Sequence, residues 1–134
     1  MNIQTISDQI VAILNGVSEI KYVYDYEEAE PSGYPCATVT PADQNASFAD
    51  TSRNERHYIF SIKVKQERTS QGANKSENIM RGLVDSLVST FDANYNLNNA
   101  CNFAHPIPSR WFYQSAPDVD VRVAEIILEA IVVQ

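Results

Sequence analysis

The sequence predicts a single-domain α+β fold in which sheet outweighs helix. A chain of 134 residues has the length of one domain and can bury roughly two-thirds of the surface that its unfolded form exposes. Hydrophobic residues make up 44% of the chain and charged residues 20%, both ordinary values for a globular protein. The chain contains twelve Ile and twelve Val against five Leu, and branched side chains suit a pleated sheet better than a helix.

Hydrophobic periodicity predicts the element order α-β-β-β-α-β-β, with a mainly antiparallel sheet and both helices packed on one face. Apolar residues recur at steps of three and four from Ile3 to Val17, which is typical of an amphipathic helix, and Gly16 ends it. A tyrosine-rich strand over residues 20–26 and a short strand over residues 35–40 follow. The intervening residues include Pro, Ser and Gly and predict a turn.

The second half of the order begins with a long polar segment, residues 42–55, which we interpret as a loop. An alternation of apolar and polar residues, interrupted only by Ile59, then predicts a strand over residues 56–67 with one dry and one wet face. A second helix starts near Ser76, and residues 92–105 are expected to be irregular. The last two strands are predicted around residues 109–114 and over 119–133, although a helix competes over 124–131.

The charges are unevenly distributed along the chain. The net charge of −7 argues against nucleic-acid binding, which requires clustered Lys and Arg. Residues 19–50 carry seven acids and one base, whereas residues 53–81 carry seven bases and three acids. Two interpretations remain open: the segments pair within one molecule, or they form a bipolar surface that favours head-to-tail contact between copies.

Neither a membrane span nor an export signal is predicted. No apolar run approaches the roughly 20 residues needed to cross a bilayer. The first sixteen residues lack the features of a signal peptide, so we expect a cytosolic protein without a membrane partner. In that reducing compartment Cys36 and Cys101 are expected to be free, half-buried thiols rather than a disulfide or metal ligands.

The sequence predicts no catalytic residue, cofactor or metal site. His57 is expected on the wet face of its strand and His105 precedes Pro106, and neither histidine has the spacing of a known metal motif. The four glycines are scattered, so no phosphate-binding loop is present. Asp118 and Asp120 form a possible carboxylate pair on one strand face, but we interpret them as solvent-facing because no acid/base partner is evident.

Two clusters of side chains stand out as surface features. Glu27, Glu28 and Glu30 match no calcium-binding pattern and are interpreted as a solvated acidic surface at a turn. Trp111 stands beside Arg110 in an aromatic cluster. Core packing and an interface role remain equally open for it, because Arg and Trp are also favoured where proteins meet.

Several segments resemble the tail terminator, or tail completion, proteins of long-tailed bacteriophages, the family of the lambda tail terminator. After the N-terminal helix come the stretches Tyr-Val-Tyr-Asp-Tyr (22–26) and Gly-Tyr-Pro-Cys-Ala-Thr-Val (33–39). A polar loop then leads to Arg-His-Tyr-Ile-Phe-Ser-Ile (56–62), and the chain closes with Arg-Val-Ala-Glu-Ile-Ile-Leu (122–128). The resemblance covers nearly the whole chain, but its motifs are packing patterns rather than chemical signatures.

This resemblance implies a virion structural protein without enzymatic activity. Members of the family form a homohexameric ring that caps the tail tube and offers a docking surface to the head–tail connector protein. The implied partners are therefore other copies of the chain, the tail tube protein and the connector. The implied location is the tail–neck region of a virion assembled in the host bacterial cytoplasm, and the loop at 42–55 would help to join neighbouring subunits.

Candidate contact residues between subunits combine the polar loop with the aromatic cluster: Phe48, Asp50, Arg53, Arg56, Arg110 and Trp111. A head–tail joining or minor tail protein of similar fold is an alternative that the sequence does not separate from a terminator. An alternative of another class is a small-ligand-binding or enzymatic domain that uses the Trp111 cluster with Asp118 and Asp120.

Overall fold

The computed structural model describes residues 2–28, 31–50, 53–68, 72–116 and 119–133, with backbone alone at 43–50, 53–54, 73, 116 and 119. Its elements follow the predicted order: α1 Ile3–Asn15, β1 Tyr22–Tyr24, β2 Cys36–Asp50, β3 Arg53–Glu67, α2 Ala73–Ala93, β4 Phe103–Ala116 and β5 Val119–Val133. The predicted α+β fold with two helices and a mainly antiparallel sheet is confirmed.

The five strands form one sheet in the spatial order β1-β2-β3-β5-β4. Only the β1–β2 pair is parallel, and the other three pairs are antiparallel. β1 and β4 are therefore the outermost strands. β1 covers only the first three residues of β2, from Cys36 to Thr38, so the remainder of β2 has no outer strand neighbour among the described residues.

One face of the sheet, here called the covered face, carries the hydrophobic core. The register aligns Phe60 with Leu128 and Ile62 with Ile126, and all four side chains are fully buried. Both helices close over them with their apolar stripes. The α1 residues of the core are Ile6, Ile10 and Leu14, and those of α2 are Met80, Leu83, Val84, Leu87 and Phe91. The apolar surface that these side chains remove from water stabilises the domain.

The boundaries of α1 follow from its capping residues. The Asn2 side chain accepts a hydrogen bond of 2.8 Å from the backbone N–H of Thr5, which satisfies a donor that the first turn leaves free. Gly16 occupies the C-cap, and its N–H donates to the Ile13 carbonyl, while the N–H of Val17 donates to the Leu14 carbonyl. The second helix begins at Ala73, three residues before the expected start.

The described residues of the segment 42–55, all but 51–52, are instead the paired ends of β2 and β3, here called the hairpin, so the prediction of a loop is wrong for them. β2 and β3 stay paired as far as Asp50 opposite Arg53, with register shifts between Pro41 and Asp43 and between Phe48 and Asp50. The segment lacks the alternation that marks a strand in sequence. Its ladder continues a pairing that the strongly patterned residues 56–67 begin, and such a non-local effect leaves no local pattern.

The irregular region predicted for residues 92–105 is shorter than expected, and the following strand is longer. α2 extends to Ala93, and β4 begins at Phe103 rather than near residue 109. Pro106 and Pro108 obscure this strand in the sequence, but β4 is an edge strand. Residues two apart on a strand direct their backbone nitrogens to the same side, and β4 has a strand neighbour on one side only. If both proline nitrogens face away from β5, neither removes a ladder hydrogen bond.

The other strand boundaries differ by smaller amounts. The first strand is confined to Tyr22–Tyr24 within the predicted 20–26, and the third begins at Arg53 instead of residue 56. The final segment is a strand over Val119–Val133, as predicted, and the competing helix over 124–131 is excluded. Between α2 and β4, Leu97, Asn98 and Asn99 all have positive φ, a conformation that Asn tolerates better than most residues.

Candidate subunit interface

The face of the sheet opposite the helices, here called the open face, has no second layer among the described residues. It carries side chains that alternate with those of the core: Thr38, Ser61, Lys63 and Lys65 from the centre, and Glu125, Ile127 and Glu129 from β5. Two isoleucines and two aromatic residues of the face are half-buried or exposed: Ile59, Ile107, Phe103 and Phe112. The open face thus mixes charged and apolar side chains.

Glu27, from the turn after β1, reaches over the open face and pairs with two lysines of β3. The Lys65 Nζ donates to Glu27 Oε1 at 2.8 Å, and Lys63 Nζ lies 3.7 Å from Oε2. Burial would raise the pKa of Glu27, but the hydrogen bond from Lys65 and the two positive charges outweigh it and hold the pKa below its usual value. Lys65 is only 3% exposed, so this carboxylate neutralises a buried charge.

Glu125 forms the second charged group of the open face, in the middle of β5. It accepts hydrogen bonds from the Ser61 hydroxyl and from Arg110 Nε, the latter at 2.9 Å. Burial would raise the pKa of Glu125, which is 9% exposed, but these two hydrogen bonds and the charges of Arg110 and Lys63 lower it overall. Arg110 is itself 62% exposed and also lies over the Phe112 ring, 4.9 Å from its centroid.

Both histidines meet a single carboxylate at the other end of the open face. Glu129 Oε1 lies 3.1 Å from His57 Nδ1 and 3.7 Å from His105 Nε2. His57 Nε2 also lies 3.6 Å from Glu55. His57 lies on the face of its strand that was predicted to be wet, but its contacts leave it half-buried. Nothing in the sequence indicated that the two histidines are neighbours, because 48 positions separate His57 from His105.

One edge of the sheet, here called the tyrosine edge, consists of β1 and the turn that follows it. Tyr22 and Tyr24 are stacked with ring centroids 6.4 Å apart, and Tyr26 meets Tyr24 edge-on at 5.6 Å. Tyr22 and Tyr26 are 43% and 52% exposed. Asp25 is also exposed, and Glu28 accepts a hydrogen bond from the Tyr26 hydroxyl at 2.9 Å. This edge is aromatic and acidic.

The opposite edge, here called the arginine edge, is formed by β4 and the adjoining end of β5. The Arg122 guanidinium lies 5.1 Å from the Trp111 ring centroid and 4.5 Å from that of Tyr113. Arg68 lies over the same Tyr113 ring at 4.9 Å. Trp111 and Tyr113 are 37% and 57% exposed, so Trp111 is not a core residue and the core interpretation offered for it is wrong.

The hairpin residues predicted to make subunit contacts are placed by their backbone alone. Phe48 pairs with Asn54, and Asp50 pairs with Arg53 at the end of the hairpin. Their side chains lie outside the described part of the structure. Arg56 lies between Ala46 and Val132 in the sheet, on the covered face beyond the core.

The described acidic residues singled out in the sequence have different surroundings. Glu27 is paired on the open face, Glu28 contacts Tyr26, and Glu30 lies outside the described residues. Asp120 is exposed near the start of β5, and Asp118 also lies outside the described residues. Of the two interpretations of charge along the chain, pairing within one molecule therefore holds at Glu27, while Asp25 remains exposed.

The two cysteines are buried in different parts of the fold. Cys36 opens β2 on the open face, and Cys101 lies in the turn before β4. Burial raises the pKa of each thiol to about 11. Both are free thiols, as predicted, but they are fully rather than half buried.

Sequence reasoning missed the group around Arg122. This side chain binds Glu77 of α2 through two hydrogen bonds, Nε to Oε2 at 3.0 Å and Nη2 to Oε1 at 3.1 Å. Glu77 and Arg81 are four positions apart, a spacing typical of an ion pair on a helix. In the structure, Arg81 Nη2 lies 3.6 Å from Glu77 Oε1. The positions of Arg68 and Arg122 depend on strand register, which sequence patterns do not give.

Within the described residues, no group of three or more His, Cys, Asp or Glu side chains is arranged to hold a metal ion. None of the helices in that part of the chain is long and apolar enough to span a bilayer. The chain matches no protein-family model, and no curated protein is detectably similar in sequence.

Proposed function

We propose that this chain is a virion structural protein of the tail-terminator type, which assembles into a homohexameric ring that caps a phage tail tube and receives the head connector. The observation that carries the proposal is the opposite chemistry of the two sheet edges. The tyrosine edge is acidic and aromatic, and the arginine edge is cationic and aromatic. The sequence resemblance described above points to the same class of protein.

The edges are placed so that each can meet its complement on a neighbouring copy. Register places Tyr22 beside Cys36, then Lys65, Val123 and Phe112 across the sheet. The two edges therefore lie at the same level, four strand spacings or about 19 Å apart. A contact between different surfaces of identical copies is heterologous, and such contacts close into a ring when the rotation permits.

The chemistry of the edges suits a protein contact. Exposed Tyr, Trp and Arg side chains are the types enriched at interfaces, and complementary charge steers copies into register. Arg110 and Trp111, expected to make subunit contacts, lie on the arginine edge, with the Arg110 side chain 62% exposed. The hairpin of β2 and β3 would add backbone contacts, since most of the outer side of β2 has no strand neighbour among the described residues.

Light scattering coupled to size-exclusion chromatography tests the proposal. We expect a species six times the 15.0 kDa chain mass, either alone or in the presence of purified tail tubes, which can act as a template. Asp25→Lys reverses a charge on the tyrosine edge and should weaken the assembly. Asp92→Lys makes the same change at an exposed site on α2 and should leave it intact.

A chain that stays monomeric at high concentration and with tail tubes present would contradict the proposal. Equal effects of the two lysine variants would contradict the edge contact specifically. Electron microscopy of labelled particles then separates a terminator, at the end of the tube, from a head–tail joining or minor tail protein elsewhere in the particle.

A further inference from the structure

A cavity of about 350 Å³ opens between the first turns of α2 and the adjoining strand ends. We call it the arginine pocket. Its lining comprises three guanidinium groups, one carboxylate, a hydroxyl and an aromatic ring: Arg68, Arg81, Arg122, Glu77, Ser76 and Tyr113. It lies on the helix side of the arginine edge and does not involve the open face.

The lining of the arginine pocket has an excess of positive charge. Its single carboxylate, Glu77, is shared between Arg122 at 3.0 Å and Arg81 at 3.6 Å. No carboxylate among the described residues forms a salt bridge with Arg68, which instead lies over the Tyr113 ring together with Arg122. Three like charges held around one cavity repel each other, so a bound anion would be stabilised there.

Ser76 adds a second, independent observation. Its residue is 1% exposed, and its Oγ has no hydrogen-bond partner. Buried hydroxyl groups are normally satisfied, and an unsatisfied one carries a desolvation cost. Because Ser76 lines the pocket, a ligand acceptor atom in the cavity would supply the missing partner.

We propose that the arginine pocket binds a phosphate group. A phosphate dianion matches the two uncompensated positive charges of the lining, and its several oxygens accept hydrogen bonds from guanidinium and hydroxyl donors at once. The exposed Tyr113 ring offers a surface for the organic part of a phosphate monoester. Phosphate binding requires no second copy, because all the lining residues belong to one chain, although Arg68, Arg122 and Tyr113 also form part of the arginine edge.

Calorimetric titration and thermal unfolding of the full-length chain test this site. Inorganic phosphate at about 10 mM should raise the Tm more than sodium chloride at equal ionic strength, since ligands stabilise the state that binds them. Arg81→Gln removes a guanidinium that is 67% exposed and should weaken phosphate binding about tenfold, the loss expected for a charge-assisted hydrogen bond. Ser76→Ala should weaken it about fivefold, the loss expected for a neutral one.

Lys75→Gln is the matched control, because it removes the same charge from an exposed position of α2 outside the pocket. We expect its affinity for phosphate to stay within about twofold of the original chain. Phenyl phosphate identifies the source of the group: tighter binding than inorganic phosphate assigns a monoester, and equal binding assigns the free ion. Equal stabilisation by phosphate and chloride, or equal losses in Lys75→Gln and Arg81→Gln, would overturn the proposal. The ring measurement above does not depend on either result.

Discussion

The two faces of the sheet are built from alternate residues of the same strands, yet they differ in chemistry. On the covered face, Phe60, Ile62, Ile126 and Leu128 are fully buried under two helices. On the open face, their immediate neighbours include Ser61, which donates a hydrogen bond to Glu125, and Lys63, which forms an ion pair with Glu27. One face therefore holds the domain together by excluding water, and the other pairs its charges within the chain and has no second layer among the described residues.

Ile126 and Ile127 give the most direct comparison, because the same side chain occurs on each face at consecutive positions. Ile126→Ala should destabilise the fold by about 2–5 kcal/mol, since it leaves a cavity under the helices. Ile127 is half-buried on the open face, so Ile127→Ala should cost about half as much or less. Urea unfolding followed by circular dichroism measures both. Equal losses would show that something covers the open face in the isolated chain.

Glu125 tests whether the polar network of the open face contributes to stability. Glu125→Gln removes a carboxylate that Ser61 and Arg110 bind, and it should cost about 1–3 kcal/mol at neutral pH. Asp92→Asn, at an exposed position of α2, serves as a control and should change stability by less than about 0.5 kcal/mol.

The same variant should also change how stability depends on pH in the acid range. Because the folded pKa of Glu125 lies below its ordinary value of 4.5, the carboxylate stabilises the fold above that pH. The contribution is lost as the pH falls through the lower folded value. Glu125→Gln should therefore lose less stability than the original chain between neutral and acid pH, and an unchanged acid limb would contradict the assigned network.

The two cysteines give a comparison with a smaller effect on stability. Cys36 lies on the open face and Cys101 on the turn before β4, and each thiol has a pKa of about 11. At pH 8 about one thiol in a thousand is ionised, so both should react slowly with a disulfide reagent in the native state. Reaction should appear only with unfolding. Fast modification of Cys36 alone would show that the neighbouring side chains of the open face protect its thiol less well than its burial indicates.

Raising the pH should also destabilise the chain through these thiols. Their folded pKa lies above the ordinary value of 9.0, so the stabilising contribution is complete below pH 9. It is lost as the pH rises towards 11, because the unfolded chain then releases protons that the folded chain retains.

Most of the fold could be predicted from sequence where a local pattern exists. The stripe of α1, the alternation around Phe60 and the Val- and Ile-rich β5 each report a buried surface directly. The hairpin at 42–55 and the start of β4 could not be predicted in the same way. Their strands form by pairing with β3 and β5, partners that are remote in sequence, and Pro106 and Pro108 are tolerated only because β4 is an edge strand.

The candidate surfaces were less predictable than the fold, for the same reason. Arg110 and Trp111 were identified from residue type alone and do lie on an outer strand. The arginine pocket was not, because Arg68, Arg81 and Arg122 come from separate elements that only strand register and helix packing bring together. The contact between Glu129 and both histidines was likewise invisible without the sheet order.

Site-specific cross-linking tests the central claim, that the two edges of neighbouring copies meet. Asp25→Cys places a thiol on the tyrosine edge, and Ser109→Cys places one on the exposed β4 strand at nearly the same level. Each single variant should give no cross-linked pairs with a short bismaleimide, because a heterologous contact never brings two identical positions together. The native cysteines are buried and provide a low background.

The double variant, alone or on tail tubes, should give a ladder of linked chains that stops at six. Dimers formed by either single variant would show a two-fold contact instead. A double variant that remains a single chain under both conditions would contradict the account.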